Sequence, residues 1–198
     1  MTTIGITGGI GSGKSIVSKL FELSGIPIYY ADIEAKRITE NSPEVRIQLT
    51  KLFGNDLYSG NSNTLNRQRF ASILFNDAKA LKQAENIIHP KVREDFKQWV
   101  EQQNVPIAGI EAAILFEAEF DREVDQIITV TAPSDIRIAR VMSRDNAAKE
   151  KVLERISNQL PDEEKIKRSD FVIVNDDKTP VIPQVLDVIN RLSLNSPE

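Results

Sequence analysis

Apolar positions along this chain switch repeatedly between two spacings. Thr2–Thr7 is a short β-branched run bounded by glycine and predicts a buried strand. Ile16, Val17, Leu20, Phe21 and Leu23 then recur at helical intervals, predicting a helix over 14–24 that Gly25 stops. A second strand is expected over 26–30. Helices follow over 33–40 and Pro43–Phe53, the latter with proline in its first turn. Residues 54–64 hold Asn55, Asp56, Ser59, Gly60, Asn61, Ser62 and Asn63 and read as a loop. Asn66 is expected to cap a helix reaching Phe75, and Asp77 another running towards Glu101 and broken at His89-Pro90. Strands are predicted at 106–110, Gln126–Thr131 and Phe171–Val174, and helices at 134–144, 147–159 and 180–194. Five strands alternating with helices imply an α/β fold with a five-stranded parallel sheet flanked by helices and right-handed crossovers. The helical run over 66–103 interrupts the alternation and is expected to form an insert in one domain spanning 1–198.

Composition narrows the chemistry. The chain has 198 residues, 40% hydrophobic and 27% charged, which suits an ordinary globular protein. Without cysteine there is no disulfide, thiolate zinc site or cysteine nucleophile, and one histidine excludes a multi-histidine metal cage. The opening Met-Thr-Thr-Ile has no basic n-region, and the longest apolar run is Ala112 to Phe116, so neither a secretory signal nor a membrane span is expected. A cytoplasmic protein is the expectation. A net charge of −4 argues against general nucleic-acid or membrane-surface binding. The charge is uneven, however. Residues 134–168 carry nine Lys/Arg against seven acids, whereas the rest carries 16 against 22. An acidic chain with one arginine-bearing segment points to a local polyanion site.

Gly8-Gly9-Ile10-Gly11-Ser12-Gly13-Lys14-Ser15 matches G-x-x-x-x-G-K-[ST] at every fixed position, between a predicted strand and a predicted helix. Amides of a glycine-rich turn can converge on phosphate oxygens, and the helix start adds partial positive charge. Lys14 is expected to point into the phosphate site and bridge the β- and γ-phosphates, with the Ser15 hydroxyl on Mg²⁺. A plain strand-to-helix turn would not require Lys-Ser at this offset.

Asp32 falls where the second strand ends, at the sheet edge on which open α/β folds bind ligands. Three roles stay open: accepting a proton from an attacking hydroxyl, supporting Mg²⁺ through water, or capping the helix that starts at Ile33. Arg137, Arg140 and Arg144, at i, i+3 and i+7, share a helix face, and Arg155 and Gln159 form a second polar pair. This is either a lid that closes over transferring phosphate or a solvated pair of helices salt-bridged by Asp135, Asp145, Glu150 and Glu154. A switch-type GTPase is disfavoured: there is no D-x-x-G, and Asn175-Asp176-Asp177-Lys178 lacks lysine after asparagine.

Several segments together resemble the dephospho-CoA kinases among the P-loop small-molecule kinases. They are Thr7 to Ser15, Ala31-Asp32, Ile88-His89-Pro90, Ile114-Leu115-Phe116-Glu117, Arg140 with Arg144-Asp145, Arg155 and Gln159, and Ser169-Asp170 to Asn175. Ile16 replaces a common threonine, and Ala112-Ala113 an expected proline. The resemblance implies ATP-dependent phosphorylation of the ribose 3′-hydroxyl of dephospho-CoA, giving CoA and ADP. It makes Asp32 the base and Arg140 a transition-state clamp, with Lys14 also catalytic. The implied ATP-binding set is Gly9, Gly11, Ser12, Gly13, Lys14, Ser15, Ile16, Arg144 and Asn175, the last through adenine. His89 joins Asp32 on the acceptor side, in the insert, while 134–168 forms the lid. ATP and dephospho-CoA are the implied partners, with Mg²⁺ as metal and a monomer or weak homo-oligomer as the working form. Another small-molecule kinase, acting on a nucleoside monophosphate or a sugar acid, is the closest rival.

Overall fold

The computed structural model describes residues 1–59 and 64–194. Its frame begins with β1 (Thr2–Thr7), whose last four residues are buried, followed by the loop 8–13 and α1 (Lys14–Leu23). β2 (Ile28–Tyr30) starts two residues later than the pattern predicts. Pro27 has no amide to enter a ladder, although its carbonyl still accepts from Gly109 at 2.9 Å.

Residues Ala31–Gln98 form a compact unit of their own. It contains α2 (Ala31–Asn41), α3 (Pro43–Phe53), the small antiparallel pair β3 (Tyr58–Ser59) and β4 (Thr64–Leu65), α4 (Arg67–Asn76) and most of α5 (Ala78–Glu101). The loop expected over 54–64 therefore carries a short 3-10 turn at Asn55–Leu57 and one strand of that pair. Gly60, Asn61, Ser62 and Asn63 lie outside the described residues. Asn66 and Asp77 cap as expected: Asn66 Oδ1 accepts from the Arg69 amide at 3.0 Å, and Asp77 Oδ1 from Lys79 and Ala80 at 2.8 and 3.1 Å.

The predicted break at His89-Pro90 is wrong. α5 runs through Pro90 as one helix of 24 residues. Ala80, Ala84, Val92 and Phe96 recur at four-residue multiples on both sides of the proline and are all buried. One buried face holds both halves in line, while the Pro90 ring is exposed and sacrifices a single backbone bond, to the Asn86 carbonyl.

The other unit, Met1–Tyr30 with Trp99 onward, carries the main sheet. After α5 come β5 (Ile107–Glu111), β6 (Gln126–Thr131), α6 (Ser134–Asp145), α7 (Lys149–Ser157), α8 (Asp162–Lys167), β7 (Phe171–Val174) and α9 (Val181–Leu194). All five strands are parallel in the order β2-β5-β1-β6-β7. Ile4, Ile6, Val17, Phe21, Ile128 and Leu192 are buried in its apolar core, which joins β1 and β6 to α1 and α9. The pattern gives no sign of α8, because its six residues are five-sixths charged. Among the described residues, no helix is long and apolar enough to cross a membrane.

Candidate active site

The loop 8–13 leaves β1 at its carboxyl end and enters α1 through Gly13, which adopts φ 89°. That conformation favours glycine, and a β-carbon at Gly13 would also collide with the Asn175 amide. Each carbonyl from Gly9 to Gly13 has a donor. Gly9 O takes the Ser12 amide at 3.0 Å, and Gly13 O takes the Ile16 amide at 3.0 Å. Ile10 O takes Arg137 Nε at 3.0 Å, Gly11 O takes Arg140 Nη1 at 3.3 Å, and Ser12 O takes Asn175 Nδ2 at 2.9 Å. The amides of Gly11, Gly13, Lys14 and Ser15 have no acceptor among the described residues, and no side chain caps α1. Unclaimed amides at a helix start, with that helix's partial positive charge, suit a phosphate.

Lys14 does reach the site, but it is not free. Its Nζ lies 3.1 Å from Glu111 Oε1, with side-chain exposures of 18% and 6%. Glu111 ends β5, and its Oε2 is buried without a hydrogen-bond partner among the described residues. The buried Thr7 and Ser12 hydroxyls are unpartnered too. Glu111 is a partner of Lys14 that the motif does not reveal. The one available signal is an acid closing an otherwise apolar buried strand. Nearby, the Tyr30 hydroxyl is pushed up to about 12, first by burial, then by Glu22 and Glu111.

The arginines divide. Arg137 is buried and pairs with Asp162, Nη1 to Oδ2, at 2.5 Å. Arg140 is partly exposed; besides Gly11 O, its Nη2 donates to Asn175 O at 3.0 Å and Asp177 Oδ1 at 2.5 Å. Arg144 is exposed and shares Asp145 with Arg155, at 2.8 Å each. These two guanidiniums, Arg144 foremost, hold Asp145 below the usual carboxylate range. Arg140 and Asn175 thus meet the loop, while Arg144 is engaged by Asp145. Ser15 and Ile16 expose their side chains at the start of α1.

In the helical unit, Asp32 lies inside the first turn of α2 rather than before it. The capping alternative loses its basis, because the helix starts at Ala31, not Ile33. Its side chain is exposed and makes no hydrogen bond or ion pair among the described residues. His89 is half-buried. Burial pushes its pKa below the ordinary value; Lys82 and Arg93 add to this, whereas Glu85 and Asp32 oppose it. His89 and Asp32 are therefore close enough to feel each other.

A model of the dephospho-CoA kinase family matches residues 2–180. The chain belongs to that family. It is 46% identical over 187 residues to the dephospho-CoA kinase of Bacteroides fragilis strain YCH46, covering 94% of this chain and 90% of the relative. Among solved structures it resembles TT1252 from Thermus thermophilus, with TM-score 0.82, 32% identity and coverage of 100% and 98%. It also resembles the dephospho-CoA kinase from Campylobacter jejuni, with TM-score 0.71, 25% identity and 98% coverage of both chains. The five-stranded parallel P-loop kinase fold is thereby established from two directions.

The family segment Ile114-Leu115-Phe116-Glu117 is largely structural here. Leu115 and Phe116 are buried, and Arg168 lies 4.1 Å over the Phe116 ring. Glu117 Oε1 accepts from the Leu160 amide at 2.7 Å. Beside it lies Lys165, wholly buried, its Nζ 3.1 Å from the Ala113 carbonyl and 4.0 Å from Glu117. Burial lowers the Lys165 pKa, with Arg137 and Lys14 adding and Glu117 and Asp162 opposing. In sequence, Lys165 is one charge in a run of charges and reads as a solvated face.

The Lys14–Glu111 pair fixes what loss of Lys14 should do. Lys14→Ala strands a buried carboxylate, at a cost of about 1–3 kcal/mol, discounted for the partial exposure of Lys14. For this chain length, melting should fall by roughly 2–10 °C. Adding Glu111→Gln should restore melting but not turnover. Wild-type melting in Lys14→Ala would contradict the pairing.

As the only histidine, His89 gives one unambiguous proton-NMR titration. Its midpoint should lie below 6.5. The folded value is depressed, so the unfolded chain binds the proton first. Stability should therefore fall as pH drops below about 6.5 towards the folded midpoint. A midpoint at or above 6.5 would contradict the burial.

Proposed function

We propose that Asp32 accepts the proton of the acceptor's ribose 3′-hydroxyl as that oxygen attacks the γ-phosphorus of ATP held by the loop 8–15. The chain is an ATP-dependent kinase that phosphorylates dephospho-CoA, giving CoA and ADP, the last step of coenzyme A biosynthesis. The observation that carries the reading is the set of four unclaimed amides on Gly11, Gly13, Lys14 and Ser15, with the Lys14 cation beside them. We assign the triphosphate to these groups, with Gly9, Ser12 and Ile16 shaping the loop and helix start. Lys14 would leave Glu111 for the β- and γ-phosphates. Arg140, already on the Gly11 carbonyl, would clamp the charge that spreads over the transferring oxygens. Arg144 would follow it from the same helix, and Asn175 would border the adenine. His89, neutral at pH 7, would hydrogen-bond on the acceptor side rather than compete for the proton. The stretch 66–103 supplies that acceptor side and 134–168 the lid, within one kinase domain.

Phosphoryl transfer from ATP uses a divalent metal as a rule. The donors fit Mg²⁺: the exposed Ser15 hydroxyl and the unpartnered Glu111 Oε2 are hard oxygens. When bound, the ion would neutralise charge on the phosphate oxygens. Asp32 makes no hydrogen bond or ion pair among the described residues and sits one residue beyond the α2 start, after β2. These features support the base role over the capping one. Because ATP is the co-substrate, we place the enzyme in the cytoplasm, working as a monomer or weak homo-oligomer without nucleic acid.

Purified protein with ATP, Mg²⁺ and dephospho-CoA should yield CoA by mass spectrometry; phosphorylation of a nucleoside monophosphate or sugar acid instead would overturn the assignment. Asp32→Asn should melt like wild type and lose at least about a hundredfold in turnover. Recovery with excess Mg²⁺ would move Asp32 to metal support, and full activity would remove it from the mechanism.

A further inference from the structure

Ile10 is gripped on both sides by side chains far along the chain. Gln159 Oε1 accepts from its amide at 2.9 Å, and Arg137 Nε donates to its carbonyl at 3.0 Å. Arg137 is held in turn by Asp162, whose Oδ2 also accepts from Thr131 Oγ1 at 3.3 Å. The fit is close: a β-carbon on Gly9 would collide with the Arg137 guanidinium and lie 2.8 Å from Asp162 Oδ1.

Two physical points give this arrangement a purpose. A peptide unit is planar and trans, so its C=O and N–H point in opposite directions. Pulling the Ile10 carbonyl outward therefore aims the Gly11 amide the other way. That amide has no acceptor among the described residues. A buried Arg–Asp pair is also a poor way to stabilise a fold, since apolar residues of similar volume commonly do as well or better. The pair makes sense through what it does to the loop.

We propose that Arg137, with Asp162 and Gln159, positions the phosphate loop for its ligand, fixing both peptide units of Ile10 so that the Gly11 amide is aimed before nucleotide arrives. The proposal rests on the reading of 8–15 as the triphosphate site. None of the three touches the reacting atoms on this account; they are positioning residues supplied by α6, α8 and the turn between α7 and α8. Nucleotide affinity thereby depends on the lid region even before the lid closes. By linkage, nucleotide should in turn steady the turn holding Gln159.

The test uses Gln159→Leu and Arg137→Lys in the full chain. Lysine keeps the charge facing Asp162, but a point ammonium cannot serve Asp162 and the Ile10 carbonyl in the fork geometry of guanidinium. MgADP affinity by calorimetry should weaken about tenfold in each, the size expected for loss of one well-placed hydrogen bond. The KM for ATP should rise while the KM for dephospho-CoA stays put, a split that general loosening of the fold would not give. Exchange of the Ile10 amide should be slow in wild type and fast in Gln159→Leu. Wild-type MgADP affinity in Gln159→Leu overturns the proposal, as does fast Ile10 exchange in the unmutated protein, which needs no variant to fold. Lys14→Ala separates the two levels. If it weakens MgADP while Gln159→Leu does not, only the positioning role falls; if it binds MgADP like wild type, the loop reading falls and the positioning role with it.

Discussion

A loop that presents several amides to one point must turn its carbonyls away, and those carbonyls then need donors. That constraint organises the sheet-bearing unit. Donors for Ile10, Gly11 and Ser12 come from Arg137, Arg140 and Asn175, on α6 and just beyond β7. The carbonyl ends of β6 and β7 thus deliver the groups that shape the end of β1. The bare Cα at Gly13 and the buried charge of Arg137 both follow, one making room for Asn175 and the other reaching a backbone oxygen.

The same geometry distinguishes the arginines by environment. Arg137 is enclosed and committed to Asp162. Arg140 spans the loop, Asn175 and the more exposed Asp177; in the proposed clamp it would exchange Asp177 for a phosphate oxygen. Arg144 and Arg155 converge on Asp145 in solvent, where such pairs contribute little to stability and part readily. Within one helix, the side chains grade from enclosed to exposed charge.

Much of this was legible in the chain. The 8–15 motif, β1, β6, β7 and the caps at Asn66 and Asp77 follow from local signals, because each depends on residues adjacent in sequence. What was not legible depends on distant partners. Spacing placed Arg137 beside Arg140 on one face, yet burial separates them, since only Arg137 meets Asp162. Glu111 fell just beyond the strand predicted at 106–110, and nothing local in the sequence sets it against the Lys14 ammonium. Lys165 was hidden in a charged run, and Pro90 was misjudged because the buried face of α5 outweighs one missing hydrogen bond. For Asp32, position alone left the base and cap roles open, and the helix starts at Ala31, two residues earlier than the pattern suggests.

The central claim is that the loop is already set for phosphate by its outward carbonyl bonds. A crystal structure of the protein with MgADP tests it most directly. The account predicts that the backbone of 8–15 superimposes on the present one, with the Gly11, Gly13, Lys14 and Ser15 amides on the β-phosphate and the Arg137 and Asn175 bonds to the loop intact. A loop rebuilt around the nucleotide, with the Ile10 and Ser12 carbonyls released from those side chains, would contradict it.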